Sequence, residues 1–291
     1  MIQKPHFSKI IAGTMSWGNW GKDFSISEMV TQLHSCAELG ITSFDHADIY
    51  GNYTTEREFG KALSESGVDR SKLQLISKCG IQLIAAGRDN KVKHYNYTKQ
   101  YIIKSVTQSL KMLQTDYLDM LLLHRPSPLM HPDTISEAIS QLKSEGKIVY
   151  FGVSNFNPSQ TQLIEKETIV EANQFAFSLT ENGVLENGVL DDCILNKRMA
   201  MCWNPLGSYF KNSDEQVLRI EKVMVPLCEK YSCTADQLLL AWIGQHPANI
   251  HPVVGTTEIT RLKNAVAAIA IKLDLQDWFV LLEASKGSEV A

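Results

Sequence analysis

Eight short apolar runs alternate along this chain with segments of helical periodicity, and most of the runs end on a polar residue. The runs are Lys9 to Ala12, Ile41 to Phe44, Leu73 to Ile76, Tyr117 to Leu123, Val149 to Val153, a sixth reaching Asn173-Gln174, Met199 to Cys202, and Ile250 to Val254. Between the first two, Met29, Leu33, Cys36 and Leu39 recur at helical spacing after Ser25 and Ser27, and Gly40 supplies a stop. Further helical patterns cover Thr55 to Leu63, a long stretch from near Thr98, Thr134 to Leu142, a segment from Pro158, Glu215 to Tyr231, and Ala235 to Trp242. Strands that are apolar throughout belong to a parallel sheet covered on both faces. Strict strand-then-helix alternation, eight times in 291 residues, predicts an α/β fold of the closed (β/α)8, TIM-barrel type. An open doubly wound sheet is the alternative, and the absence of G-x-G-x-x-G after the first run counts against its dinucleotide-binding form. No linker interrupts the pattern, so residues 1–291 read as one domain. Ile81 to Tyr97 reads as a polar loop, and the tandem ENGVL at Glu181 to Leu190 as a local duplication.

The charge balance narrows the partners. A net charge of -4 gives no general attraction to nucleic acid or an anionic membrane. The six cysteines form no C-x-x-C pair and no zinc spacing, which predicts reduced thiols. The start, MIQKPHFSKII, lacks the apolar core of a signal peptide, and no run approaches a membrane span. A cytoplasmic, monomeric protein acting on a small molecule is the expectation, with no metal, nucleic acid or membrane.

In a barrel the C-terminal strand ends converge on one face. These ends carry Thr14, Asp45 with Tyr50, Lys78, His124, Ser154 with Asn155, Gln174, Trp203, and Gly255 with Thr256. Any one is unremarkable: a buried lysine is usually a structural partner, a lone histidine usually packs, and a tryptophan usually fills a core. Taken together, Asp45, Tyr50, Lys78 and His124 suit protonation of an alkoxide forming from a carbonyl. A free tyrosine has a pKa of about 10 and is a poor acid at neutral pH. A neighbouring ammonium stabilises its phenolate and is expected to lower that value, while the carboxylate keeps the ammonium charged. A neutral imidazole can orient the carbonyl oxygen. Such a set lacks a hydride source. Ser154, Asn155 and Gln174 could hold a carboxamide and Trp203 could stack on a flat ring, the demands of nicotinamide.

These segments resemble the aldo-keto reductase superfamily over nearly the whole chain. FDHADIYG resembles its Asp-x-Ala-x-x-Tyr-Gly element, ISK its lysine strand, and LLLHRP its Leu-x-His-x-Pro strand. GVSNF, NQ and WNPLG are similar to its nicotinamide- and phosphate-binding segments. The resemblance implies NADPH-dependent reduction of an aldehyde or ketone, with Tyr50 as general acid, Lys78 and Asp45 tuning it, and His124 orienting the carbonyl. It implies an NADP(H) site from Thr14, Met15, Asp45, Ser154, Asn155, Gln174, Trp203, Asn204, Pro205, Leu206, Ser208, Gly255, Thr256, Thr257, Arg261 and Asn264. Arg261 fits the 2′-phosphate position, with Lys263 nearby. Trp203 stands where many members have tyrosine, and Arg261-Leu262-Lys263 runs into Asn264-Ala265 where the family often has Glu-Asn.

Other readings accompany these. Asp48 competes with Asp45 but lies within the loop, and His46 reads as packing. Lys78 as a Schiff-base nucleophile would suit an aldolase and leave the amide-bearing strand ends idle. Asp45, His46 and His124 as metal ligands would suit a hydrolase, though no H-x-H or H-E-x-x-H element is present. Arg125 suits equally a surface ion pair or an anionic substrate. A nicotinamide-sensing or partner-binding protein with vestigial catalysis is the alternative from another class.

Overall fold

In the computed structural model, which describes residues 6–290, the eight expected strands close into one parallel barrel. They are β1 (Ile11–Gly13), β2 (Ser43–Asp45), β3 (Gln74–Cys79), β4 (Leu118–Leu123), β5 (Ile148–Ser154), β6 (Ala172–Ala176), β7 (Met199–Trp203) and β8 (His251–Val254). Neighbours in sequence pair in parallel, and β1 pairs with β8 to close the ring. The strand bounds differ from the apolar runs where function intrudes. β2 starts later than its run and takes in Asp45, while β3 continues to Cys79 and takes in Lys78. Backbone pairing is indifferent to side-chain polarity: Asp45 is in register with Gly13 and Ile76, and Lys78 with Leu122.

Side chains alternate across a strand with period two, and that alternation places the site. Ile76, Leu122, Ala172 and Met201 fill the barrel interior together with Ile11, Met120 and Val253. Two residues further along the same strands stand Lys78, Gln174 and Trp203, and His124 lies one residue past the end of β4. The intervening Phe44, Leu75, Cys79, Leu121, Leu123 and Val153 face outward into the shell of helices. An apolar plug therefore closes the barrel directly beneath the polar groups.

The stretch from Ile81 to Tyr97 is more than a loop. It contains an antiparallel pair of two-residue strands, Ile81–Gln82 and His94–Tyr95. Strands that short leave no alternation to detect. Among the described residues, no helix is long and apolar enough to cross a membrane.

Helix Thr55–Ser66 packs on helix Lys99–Leu113 through bare backbone at Gly60. A Cβ added there would lie 2.0 Å from the Met112 carbonyl oxygen. Gly60→Ala is expected to destabilise the fold by about 1–3 kcal/mol, the range for overpacking a tight contact. A lower urea midpoint with an unchanged slope would show it; an unchanged midpoint would mean the two helices separate freely.

Candidate active site

β2 and β3 bring a carboxylate and an ammonium together in the barrel mouth. Lys78 Nζ donates to Asp45 Oδ2 at 2.7 Å, to the His46 carbonyl at 2.9 Å and to the Tyr50 phenol oxygen at 3.1 Å. An ammonium has three N–H bonds, so these acceptors use all of them. Lys78 is only 1% exposed. Burial works against its charge, yet Asp45 and the Tyr50 oxygen outweigh that penalty and hold its pKa above the ordinary lysine value. The other Asp45 oxygen, Oδ1, accepts from Gln174 Nε2 at 3.0 Å, a contact spanning the barrel from β6.

Tyr50 reaches the ammonium because the chain reverses immediately after it. Gly51 and Asn52 take left-handed conformations, with φ of 59° and 54°. At Gly51 a Cβ would also meet Thr55 Oγ1 at 2.4 Å, so the turn needs glycine for both conformation and space. The following helix begins at Thr55 with Thr54 as N-cap, but the Thr54 hydroxyl donates back to the Gly51 carbonyl and does not cap the helix. The Tyr50 ring lies 6.1 Å from that of His124, nearly perpendicular to it.

Lys78 does lower the Tyr50 pKa, as expected, but the expected net lowering is corrected, because the phenol's value is raised. Burial, the larger effect, raises the phenol above its ordinary value, and Lys78 offsets only part of that rise. The resting group is therefore a protonated phenol whose oxygen already accepts an ammonium hydrogen. His124 is driven the other way, well below the ordinary imidazole value, by burial and by the charges of Lys78, Arg125 and Lys93. It is a neutral imidazole, and its Nδ1 is buried without a hydrogen-bond partner.

Across the mouth, the ends of β5, β6 and β7 form a polar wall. Trp203 Nε1 donates to Asn155 Oδ1 at 3.0 Å, and Asn155 Nδ2 donates to Ser154 Oγ at 2.7 Å. Gln174 spends one amide hydrogen on Asp45. What remains is the Ser154 hydroxyl hydrogen, the Gln174 carbonyl and a half-buried indole face, a set that matches a carboxamide on a flat ring. Asn204 and Gly207 hold left-handed turns in the segment that carries Pro205, Leu206 and Ser208. Beyond β8, Gly255, Thr256 and Thr257 lead into helix Ile259–Ala267, whose N-terminus has no side-chain cap. Free backbone N–H groups there suit a phosphate. Arg261 and Lys263 are exposed on that helix.

Three of the expected cofactor residues are placed less directly. The Thr14 hydroxyl is buried against the Asp45 carbonyl and His46 Nδ1, at 3.0 and 2.8 Å. Met15 is half exposed. Asn264 Nδ2 donates to Asp236 Oδ2 at 3.1 Å and to Thr234 Oγ1 at 3.5 Å, which leaves its carbonyl free. His46 packs edge-on against Phe59, with ring centroids 4.3 Å apart, as expected of a packing residue. Asp48 turns away from the barrel mouth and accepts from Ser105 and Tyr101 at 2.9 and 3.1 Å. Sequence reasoning missed Trp20, whose ring lies 6.1 Å from Tyr50, and Lys93, whose charge reaches His124. Both sit on irregular segments with no periodicity to mark them.

The sequence and the fold have relatives among known proteins. The model of the Aldo/keto reductase family matches residues 9–284. The chain is 38% identical over 291 residues to an uncharacterized oxidoreductase of Bacillus subtilis, YcsN, covering 98% of this chain and 96% of that one. It is 34% identical to a 6-dehydroglucose reductase of Agrobacterium fabrum, covering 100% and 98%. Among solved structures, an aldo/keto reductase from Klebsiella pneumoniae in complex with NADP and acetate superposes with a TM-score of 0.77 at 25% identity, covering 93% of this chain and 89% of that one.

Behind the ion pair, on the outer face of β3, Ser77 donates to Glu56 Oε1 at 2.6 Å. Burial, with the nearby Asp48 carboxylate adding to it, pushes Glu56 up to about 7 from 4.5. The folded protein thus holds a proton that the unfolded chain releases, and this contribution to stability is lost as pH rises from 4.5 through about 7. Glu56→Gln keeps the acceptor for Ser77 and removes the titration. It is expected to gain up to about 3 kcal/mol over the parent at pH ~8 and little at pH ~4. Urea midpoints at the two pH values check this; parallel pH profiles would show that Glu56 does not hold its proton in the folded state.

Proposed function

The chain belongs to the Aldo/keto reductase family, and on that premise we propose that it reduces an aldehyde or ketone to the alcohol, with Tyr50 donating the proton and NADPH the hydride. The observation carrying this reading is one ammonium, Lys78, bonded at once to Asp45 and to the Tyr50 phenol oxygen beside a neutral His124. Reduced nicotinamide, when bound, supplies hydride to the carbonyl carbon. The chain's own groups manage the oxygen. His124 donates a hydrogen bond to the carbonyl oxygen and fixes its place, as a neutral imidazole can. Tyr50 gives its proton to that oxygen as negative charge develops there. Lys78 keeps its hydrogen bond to the phenolate left behind, and Asp45 keeps Lys78 charged throughout. With its pKa raised, Tyr50 is protonated at rest, and an alkoxide, a much stronger base, can still take that proton. A buried ammonium held by a carboxylate is poorly suited to attack a carbonyl, which argues against Schiff-base chemistry at Lys78.

The carboxamide-matching wall of Ser154, Asn155 and Gln174 and the uncapped N-terminus of helix Ile259–Ala267 support a nicotinamide dinucleotide as cofactor. The NADP bound by the Klebsiella structure points the same way. Arg261 and Lys263 offer the charge that a 2′-phosphate needs.

Consumption of NADPH in the presence of simple aldehydes tests the reading, and its absence across a broad panel would defeat it. Tyr50→Phe is expected to lower kcat by ~10²–10⁴-fold while NADPH affinity stays near the parent's. Arg261→Ala is expected to weaken NADPH by roughly tenfold or more and NADH far less, because a charge-assisted contact to phosphate is lost. Nucleotide titration reads the second effect; equal losses for the two nucleotides would remove Arg261 from the phosphate site.

A further inference from the structure

Of the other arginines that are buried or half-buried, two are satisfied by carboxylates and the third, Arg219, by the main-chain carbonyls of Ala284 and Ser285 at 3.0 and 3.3 Å. Arg70 meets Asp119 at 2.8 Å, and Arg198 lies between Glu165 and Asp192 at 2.5 and 2.9 Å. Arg125 differs. It follows His124 directly and is half-buried, yet among the described residues its guanidinium has neither a carboxylate within salt-bridge distance nor a hydrogen-bond acceptor, its hydrogen bonds being main-chain ones. Its main chain, by contrast, is clamped. The Tyr97 hydroxyl donates to the Arg125 carbonyl at 2.5 Å and accepts from its N–H at 3.2 Å. The guanidinium carbon lies 5.5 Å from the centre of the Trp203 ring, on the rim of the reaction site.

A second cation joins it. Lys93 immediately precedes the His94–Tyr95 strand, and it too has no carboxylate partner among the described residues. The charges of both reach His124. The reacting groups do not offset them: Lys78 and Asp45 pair with each other, and His124 is neutral. A half-buried guanidinium with five N–H donors and no anion beside it is a site waiting for an acceptor.

We propose that Arg125, assisted by Lys93, is a specificity-determining anion subsite that selects carbonyl substrates bearing a carboxylate. This rests on the reductase reading above and names its substrate class. The planar fork of Arg125 would receive the carboxylate in bidentate fashion, with Trp203 beneath it, while the carbonyl lies between Tyr50 and His124. Lys93 adds longer-range attraction from the rim.

The test compares p-carboxybenzaldehyde with p-nitrobenzaldehyde, which share a ring and differ in charge. In Arg125→Gln the ratio of kcat/KM, charged over neutral, is expected to fall by roughly tenfold or more relative to the parent. Lys93→Gln is expected to lower it by a smaller factor. Added salt should lower the ratio in the parent and much less in Arg125→Gln. Taking the ratio within each variant removes differences in folded fraction. A second readout needs no turnover: calorimetric affinity of p-(hydroxymethyl)benzoate for the NADP+-loaded protein should fall by a similar factor in Arg125→Gln. If no aldehyde is reduced, the reductase reading fails while this binding still decides the role of Arg125. An unchanged ratio, or an unchanged affinity, overturns the subsite. So does a loss shared equally by a neutral polyhydroxy aldehyde such as glyceraldehyde, which would make Arg125 a general hydrogen-bond donor.

Discussion

The buried pair of Lys78 and Asp45 is the constraint from which the rest of the site follows. Neither charge could be buried alone, since an isolated ion in a protein interior costs several kcal/mol even after relaxation. Together they are tolerated only because every polar position is filled: three acceptors for the ammonium, and Gln174 on the second carboxylate oxygen. That arrangement draws on β2, β3 and β6 at matched heights, which a closed barrel provides. A slip of one residue in β3 would turn Lys78 out among the helices and Ser77 inward, exchanging every contact at once. Correct register and intact chemistry are therefore one condition.

Burial then sorts the protons. The same dry surroundings that raise the Tyr50 pKa lower that of His124, because each resists its charged form. The outcome is a neutral acid and a neutral donor flanking a fixed positive charge. Lys78 does not make Tyr50 acidic at rest. In the proposed reduction it would make the ionised product of proton transfer tolerable when it forms, so that the assistance arrives with the charge it stabilises.

Most of the frame was legible because it rests on periodicities that a single sequence carries. Eight apolar runs became eight strands, and the polar residues terminating them met at one end of the barrel. What failed had no period or depended on a balance. The bounds of β2 and β3 were misplaced because apolar character was equated with strand, and Asp45 and Lys78 lie in strands for the sake of where they point. The hairpin of Ile81–Gln82 and His94–Tyr95 is too short to alternate. The Tyr50 shift took the opposite sign because charge can be read from neighbours in a motif, whereas burial requires the whole fold.

Strand-borne and rim residues also differ in what holds them. Asp45, Lys78 and Gln174 stand on barrel strands and cannot change without disturbing the ion pair, with His124 just past the end of β4. Trp20, Lys93 and Arg125 sit on segments draped over the rim, where substitution leaves the plug of Ile76, Leu122 and Met201 untouched. The rim is nonetheless fixed to the frame at one point. Tyr97, at the foot of the hairpin, binds both the N–H and the carbonyl of Arg125 through a single hydroxyl. That clamp ties the foot of the hairpin that carries Lys93 to the main chain of Arg125, directly after His124. Under the proposed reduction, such a barrel would separate two tasks physically: strands would set what is done to a carbonyl, and the rim which carbonyl arrives.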